Sequence, residues 1–334
     1  MSSMRNLELL SVVVPCHNEQ EVLPATHKRL RTVLDGAVSA RKCADYEVLY
    51  VDNGSTDDTW QVLKDIFTRD EHVRVICLRA NFGYQGSISA GLFHAQGDAV
   101  VTIDADLQDP PEKIGEMVSC FKQGYDLVLG VRKERSSDSF LKRFFSENYY
   151  LFLKWMGVDV VYNHGDFRLM ARSLVDEFNK LPERSRFIRA MILKLESRYA
   201  KVDYSREPRK AGKTKFSPAA MLSLAFDGIT SFSYMPLRFA SIFGAFMFFL
   251  AGIGMCWVLY IKVTQNIIHG WASILLSIFG LGGLQLFVLG IMGEYIGKLY
   301  LEVKQRPLFL VREEYSHKNA QAANVLGAER RGRV

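Results

Sequence analysis

The chain lacks the short motifs that would reveal a nucleotide enzyme's chemistry at once. The turn after its first apolar run has no GxGxxG, which argues against an NAD-type dehydrogenase, and no GxxxxGK[ST] phosphate loop occurs anywhere. Cysteine is sparse: Cys16, Cys43, Cys77, Cys120 and Cys256 are odd in number, scattered and never spaced CxxC, so neither a disulfide framework nor a zinc site is indicated. The opening MSSMRNLELLSVVVPCHNE has no long apolar stretch before a small-residue cleavage site, and the expectation is that nothing exports the domain that follows. What is present in excess is positive charge. A net charge of +6 and a pI near 9.0 suit an anionic partner, whether nucleic acid, lipid headgroup or phosphate-bearing substrate.

The 334 residues divide by composition. Up to about Tyr234, short β-rich runs alternate with polar helical stretches; two uncharged blocks of 23 residues follow, Phe239–Ile261 and Trp271–Gly293. Such a block makes a helix of roughly 35 Å, enough to cross a hydrocarbon core of ~30 Å. The connector KVTQNIIHG carries only Lys262, whereas Arg209, Lys210, Lys213, Lys215 and Arg238 precede the first block and Lys298, Lys304 and Arg306 follow the second. Basic flanks face the cytoplasm, which places both termini inside. Gly283, Gly290 and Gly297 in one block, with Ala240 and Gly244 in the other, offer small-residue faces for helix packing. Two further stretches have amphipathic spacing: 141–156, with Leu141, Phe144, Phe145, Tyr149, Phe152 and Leu153 beside Lys142, Arg143 and Lys154, and 216–233, where Ser217-Pro218 opens a helix. The expected organisation is a cytoplasmic catalytic domain over 1–215 that includes an interfacial helix at 141–156. A juxtamembrane amphipathic helix at 216–233, two transmembrane helices within 235–297 and a cytoplasmic tail at 298–334 complete it.

Within the first part, apolar runs at Leu9–Val14, Tyr46–Val51, Val73–Leu78, Ala99–Ile103 and Asp126–Leu129 alternate with helical stretches at Glu21–Leu34, Thr59–Phe67, Gly86–Ala95 and Pro111–Phe121. That order predicts an α/β domain with a mostly parallel sheet covered on both faces. Ligands of such sheets sit beyond the carboxyl ends of the strands. The polar residues just after each run are therefore the candidate site: Pro15-Cys16-His17-Asn18-Glu19, Asp52-Asn53-Gly54-Ser55-Thr56-Asp57, Arg79-Ala80-Asn81-Phe82-Gly83, and Asp104-Ala105-Asp106-Leu107-Gln108-Asp109.

Each carries a chemistry. Asp104, Asp106 and Gln108 set hard oxygen donors at alternate positions of a chain leaving a strand, an arrangement suited to Mg²⁺ or Mn²⁺ shared with a diphosphate. Asp52 suits a uracil or ribose edge, and Ser55-Thr56-Asp57 suits either the nucleotide or the cap of the next helix. Glu19 suits the nucleotide or the start of its own helix, and the Asn81–Gly86 loop suits phosphate contact or simple turn chemistry. Arg132 and Arg143 could grip an acceptor phosphate, with contact to lipid headgroups alone as the alternative for Arg143, and the basic, Gly-hinged run Arg209–Lys215 could close over a diphosphate or form a solvated juxtamembrane charge cluster. Asp166, in NHGDFRL, is the candidate for the reacting centre, with a structural pairing to Arg168 as the plain alternative.

Together these residues resemble the GT-A type glycosyltransferases of the dolichol-phosphate mannose synthase group over nearly the whole chain. The likeness is strongest to the bacterial bactoprenol glucosyltransferases of O-antigen modification, through NHGDFRLMARSLV, LPERSRF, GITSFSYMPLR, GEYIGKLY and the two-span tail. The resemblance implies a Rossmann-like GT-A fold at the bacterial inner membrane, a UDP-glucose donor, undecaprenyl phosphate as acceptor, a divalent metal, inverting single displacement, a homo-oligomer such as a tetramer, and no nucleic-acid partner. Carried over by motif, Asp104, Asp106 and Gln108 hold the metal, Asp52 the nucleoside and Arg132 the lipid phosphate, while Asp166 is the catalytic carboxylate and Asp106 is counted with it. Pro15, Asn18, Glu19, Ser55, Asn81, Arg143, Arg209 and Lys215 complete the expected substrate contacts. The chain departs from the pattern at Asn53, where relatives commonly have Asp, and at Thr214, where they often have Ser. No QxxRW motif is present, which separates the chain from processive polysaccharide synthases.

Overall fold

The computed structural model describes residues 5–133, 161, 163–184, 186–206, 235–265 and 270–317. The amphipathic stretches at 141–156 and 216–233 lie outside the described residues, as do Arg143, Arg209 and Lys215. The described residues form two compact units, one of sheet and flanking helices that includes the segment from Pro307 onward, the other of two long helices.

The first unit is built on an eight-stranded sheet. Its strands are β1 (Leu9–Cys16), β2 (Asp45–Asp52), β3 (Val73–Leu78), β4 (Ala99–Thr102), β5 (Leu127–Arg132), β6 (His164–Ala171), β7 (Tyr199–Tyr204) and β8 (Val311–Tyr315), in the order β7-β5-β6-β4-β1-β2-β3-β8. Its helices are α1 (Leu23–Ser39), α2 (Thr59–Arg69), α3 (Gly83–His94), α4 (Ile114–Lys122), α5 (Arg172–Lys180) and α6 (Ile188–Leu195), with a single 3-10 turn at Pro111–Lys113. β1, β2, β3 and β4 are mutually parallel, as the βα alternation predicts. β6 runs antiparallel between β4 and β5, and β8 antiparallel along β3.

Period-two alternation sorts the central strands between two helical layers. Leu10, Val12 and Val14 of β1 join one buried cluster with Leu23, Leu30 and Leu34 of α1, Leu63 of α2, and Met117 and Phe121 of α4. In α1 the buried set Leu23, Thr26, Leu30, Leu34 and Ala37 follows helical spacing, which is why the helix continues past Leu34. On the other face α3 lies so close to β1 that a Cβ on Gly91 would stand 2.2 Å from Val13 Cγ1.

β8 falls within the segment expected as a tail at 298–334, where no strand was expected. Glu314 on β8 accepts from Arg74 Nη2 at 2.8 Å, and Arg74 Nη1 donates to Glu47 Oε2 at 2.8 Å. Glu47 Oε1 in turn takes Ser11 Oγ at 2.5 Å and the Gln96 amide at 2.7 Å. The carboxylate that closes this buried network lies some 240 positions from its arginine, a pairing no local pattern announces.

The second unit comprises α7 (Met235–Gln265) and α8 (Trp271–Lys304), so helix α8 runs past the expected end of the second span. Among the described residues one stretch, Leu237–Gly254 with mean hydropathy 1.7, is long and apolar enough to cross a membrane by length and composition.

Replacing Gly91 by Ala should drive a methyl into Val13 and destabilise the fold by about 1–3 kcal/mol. Thermal unfolding of the detergent-solubilised protein reads this as a lowered midpoint; an unchanged midpoint would mean that α3 yields without cost.

Candidate active site

Of the sequence-selected residues, Asn18, Glu19, Asp52, Ser55, Asn81, Asp104, Asp106 and Gln108 follow or end β1, β2, β3 and β4 at their carboxyl ends, while Arg132 lies on β5 and Asp166 on β6. Three non-glycine residues here take left-handed backbone angles, Asn18 (φ 55°), Leu107 (φ 58°) and Asn163 (φ 54°), a conformation such residues adopt only under local constraint.

On the β1–β3 side the turns are sewn together by side chains. Asp52 is buried at 1% exposure; its Oδ1 accepts from the Ser55 amide at 3.2 Å and Ser55 Oγ at 2.5 Å, and its Oδ2 from Cys77 Sγ at 3.4 Å. Ser55 Oγ also accepts the Asn18 amide at 3.0 Å, and Asn18 Oδ1 accepts the Thr56 amide at 2.8 Å. The Glu19 amide donates to Thr59 Oγ1 at 2.8 Å, while Pro15 lies within β1, paired in register with Val51. Asp57 Oδ1 accepts the Thr59 amide at 3.1 Å, so it serves the start of α2, one of the two roles open to it in the sequence.

Asn53 explains its own departure from the family pattern. Its Nδ2 donates to Asn81 Oδ1 and to the Gly83 carbonyl, both at 3.1 Å, while its Oδ1 accepts the Phe82 amide at 2.9 Å. An aspartate could not donate either bond. Gly54, with φ 62°, lets this turn approach the next, since a Cβ there would stand 2.6 Å from the Ala80 carbonyl carbon.

The β4 exit holds the acids. Asp104 is partly buried, and its Oδ1 accepts the Tyr84 hydroxyl at 2.6 Å. Asp106 Oδ1 accepts the Gln108 amide at 3.1 Å, a turn made possible by the left-handed Leu107, whose buried side chain anchors the loop. Burial pushes the Asp104 carboxyl up to about 7, with Asp109, Asp166 and Asp106 adding to the rise and the Tyr84 hydrogen bond opposing it. Carboxylates crowded to that degree favour a cation. Among the described residues no group of three or more His, Cys, Asp and Glu side chains is arranged to hold a metal alone. Asp104 and Asp106, with Gln108 two positions on, are the residues here that could share an ion with a phosphate-bearing ligand.

Sequence reasoning named Asp166 but not its strand. β6 places it at 5% exposure beside Thr102, whose hydroxyl donates to the Asp166 carbonyl. Arg168, at 0% exposure, pairs with Asp166 Oδ1, and Arg189 on α6 donates to Oδ2 through Nη2 at 2.5 Å and through Nε at 3.2 Å. Burial acts to raise the Asp166 pKa, but Arg189 and then Arg168 outweigh it and hold the carboxyl well below the usual range. The pairing with Arg168 weighed from the sequence is thus present, and Arg189 joins it. A carboxylate so held accepts a proton poorly.

Arg132 closes the site. Its Nε donates to Tyr204 Oη at 3.1 Å, and that hydroxyl donates to Asp109 Oδ1 at 2.6 Å. Asp109, Tyr84, Arg189 and Tyr204 received no role from the sequence. Asp109 stands three residues beyond Asp106, and that proximity was the available signal; the others meet the site only through tertiary pairing.

A sheet of this order with acids and amides at its strand ends is a Rossmann-like α/β fold of the GT-A type. Residues 11–178 match the Glycosyl transferase family 2 model, and the chain belongs to that family. It is 40% identical to the "Uncharacterized glycosyltransferase YkcC" of Bacillus subtilis, over 92% of this chain and 95% of that one. It is 37% identical to the bactoprenol glucosyl transferase of Shigella phage SfII, over 92% of this chain and 98% of that one. Among solved structures, glucosyl-3-phosphoglycerate synthase from Mycobacterium tuberculosis in complex with Mn²⁺, UDP-glucose and phosphoglyceric acid is similar at 17% identity and TM-score 0.43, over 67% of this chain and 78% of that one.

Because the Asp166 carboxyl is held below its ordinary value of 3.8, its pairing adds stability above that pH and loses it as pH falls toward the depressed folded value. Asp166→Asn should therefore cost about 3–5 kcal/mol at neutral pH, leaving Arg168 buried without its counter-ion. Unfolding midpoints measured across pH should show the gap to wild type narrowing below 3.8; a gap independent of pH would contradict the pairing.

Proposed function

We propose that this chain transfers glucose from UDP-glucose to undecaprenyl phosphate at the cytoplasmic face of the bacterial inner membrane, with inversion at the anomeric carbon. The observation that carries the reading is the span of the similarity: the bactoprenol glucosyl transferases match 92% of this chain and 98% of their own, so catalytic and membrane parts are shared alike. An oxygen of the lipid phosphate attacks the anomeric carbon, the bond to the β-phosphate oxygen breaks, and UDP leaves with the electron pair.

A phosphate monoester with a second pKa near 6 is mostly dianionic at neutral pH, so the nucleophile needs little help from a base. This suits Asp166, which orients Arg168 and Arg189 rather than taking up a proton. Asp104 and Asp106, with Gln108, would hold Mg²⁺ or Mn²⁺, which when bound offsets negative charge on the diphosphate. Asp52, Asn18, Ser55 and Asn81 serve the nucleoside side, with Pro15 and Glu19 at its edge. Arg132 takes the acceptor phosphate, Arg143 assists it, and Arg209 and Lys215 cover the diphosphate.

Strand connectivity supports two crossings. β7 precedes α7 and β8 follows α8, yet both strands belong to one sheet. A chain that leaves that sheet, crosses a membrane and returns to it must cross an even number of times, so a spanning α7 calls for a second crossing, which α8 is long enough to supply.

Purified protein given UDP-glucose, undecaprenyl phosphate and Mn²⁺ should yield glucose in the organic-extractable lipid. Asp104→Ala or Asp106→Ala should lower the rate more than about 100-fold; normal turnover by both variants in EDTA would remove the metal from the mechanism. Nucleotide release from a panel including GDP-mannose and a UDP-linked 4-aminoarabinose derivative tests the sugar, and preference for either would reassign the donor.

A further inference from the structure

The side chains behind Arg132 form a polar chain that the reaction as described leaves unused. Tyr204, at the end of β7 and 2% exposed, accepts Arg132 Nε at 3.1 Å and donates to Asp109 Oδ1 at 2.6 Å. Asp109 is 1% exposed, and its Oδ2 has no hydrogen-bond partner among the described residues. Arg132 Nη2 stands 3.8 Å from Asp109 Oδ1, too far for a hydrogen bond. Two glycines make room for the arrangement. A Cβ on Gly130 would stand 3.1 Å from Tyr204 Cε1, and one on Gly165 would stand 2.8 Å from Arg132 Nη2.

We propose that Tyr204 is a positioning residue for the acceptor: it fixes Arg132 through Nε and so leaves both Nη groups to the lipid phosphate. Among the described residues none accepts a hydrogen bond from either Nη, and the Arg132 side chain keeps 27% exposure. A guanidinium held by one edge presents the other as a fork matched to two phosphate oxygens. Tyr204 does this without spending the charge, because a hydroxyl takes up Nε where a carboxylate in direct contact would neutralise the cation. Asp109 stands 3.8 Å from Nη2, near enough for charge attraction but without a hydrogen bond to it, and it holds the hydroxyl's proton so that the hydroxyl's lone pair faces Nε.

Charge around the pair is consistent with an anionic ligand. Arg189 and Arg206 lie near enough to Arg132 for mutual repulsion.

The proposal depends on a phosphate acceptor, as assigned above. Initial rates of the full-length protein in nanodiscs, at saturating UDP-glucose and varied undecaprenyl phosphate, test both. Tyr204→Phe should raise the acceptor KM about tenfold, the effect of losing one charge-assisted hydrogen bond, and leave kcat within about threefold. UDP affinity, measured by calorimetry, should stay within about twofold. Asp109→Asn, which keeps an acceptor for the hydroxyl but removes the charge, should raise the same KM by about threefold, and the double variant should be no worse than Tyr204→Phe. An unchanged acceptor KM in Tyr204→Phe, or a loss confined to kcat or to UDP binding, would overturn the positioning role. Should Tyr204→Phe fail to fold, an unchanged KM in Asp109→Asn would do the same. Wild-type protein that releases UDP yet labels no polyprenyl phosphate would instead overturn the acceptor assignment, and this role with it.

Discussion

The site depends on one buried ionic contact, Asp166 between Arg168 and Arg189. Its strand, β6, runs antiparallel into a sheet that is otherwise parallel at its centre, and this reversal sets Asp166 beside Thr102, the last residue of β4. Two residues further on, the chain reaches Asp104. The paired carboxylate thus sits close enough to Asp104 to help raise its pKa, while Arg189 reaches from α6 to hold the far side. Buried pairs contribute little net stability, because desolvation offsets their attraction. What this pair contributes is position. An arginine with 0% exposure has a single low-energy location for its charge, and that location fixes where β6 and α6 meet the β4 exit.

The first four strands and the helices after them were legible because each is a short β-rich run beside a helical period. The rim of acids and amides was legible because a parallel sheet gathers ligand groups at its strand ends. β6, β7 and β8 were not. β6 reads HGDFRLMA, with acid and base inside the strand, and it survives burial only because those charges pair with each other and with Arg189. β7, YAKVDY, has mixed polarity and exposed positions, and β8, VREEY, earns its place through Glu314 and Arg74 far apart in sequence. Local pattern carries no record of such partners. The same holds for Tyr204 and Arg189, whose roles come from what they touch.

The return of β8 to the catalytic sheet also changes how the membrane part is understood. A tail hanging free after the last span would place no condition on the helices before it. A tail that supplies an edge strand, with Tyr315 beside Trp60 and His317 stacked on Phe67 at 4.1 Å, ties both ends of the α7–α8 segment to one domain. Hydropathy marks Leu237–Gly254, among the described residues, as the stretch long and apolar enough to cross a membrane, and strand pairing sets both ends of the α7–α8 segment in one sheet.

The two halves of the site have opposite electrostatic character. Burial, with Asp109, Asp166 and, least, Asp106 beside it, raises the Asp104 carboxyl to about 7. Arg132, a short way off, feels both Asp109 and the like charges of Arg189 and Arg206. Asp166 already engages Arg168 and Arg189, so its charge is committed within the sheet and the acids that follow β4 stand apart from it. The arginines thus lie on the β5 and β6 side of the rim and the acids at the β4 exit, a separation that the antiparallel insertion of β6 between β4 and β5 produces.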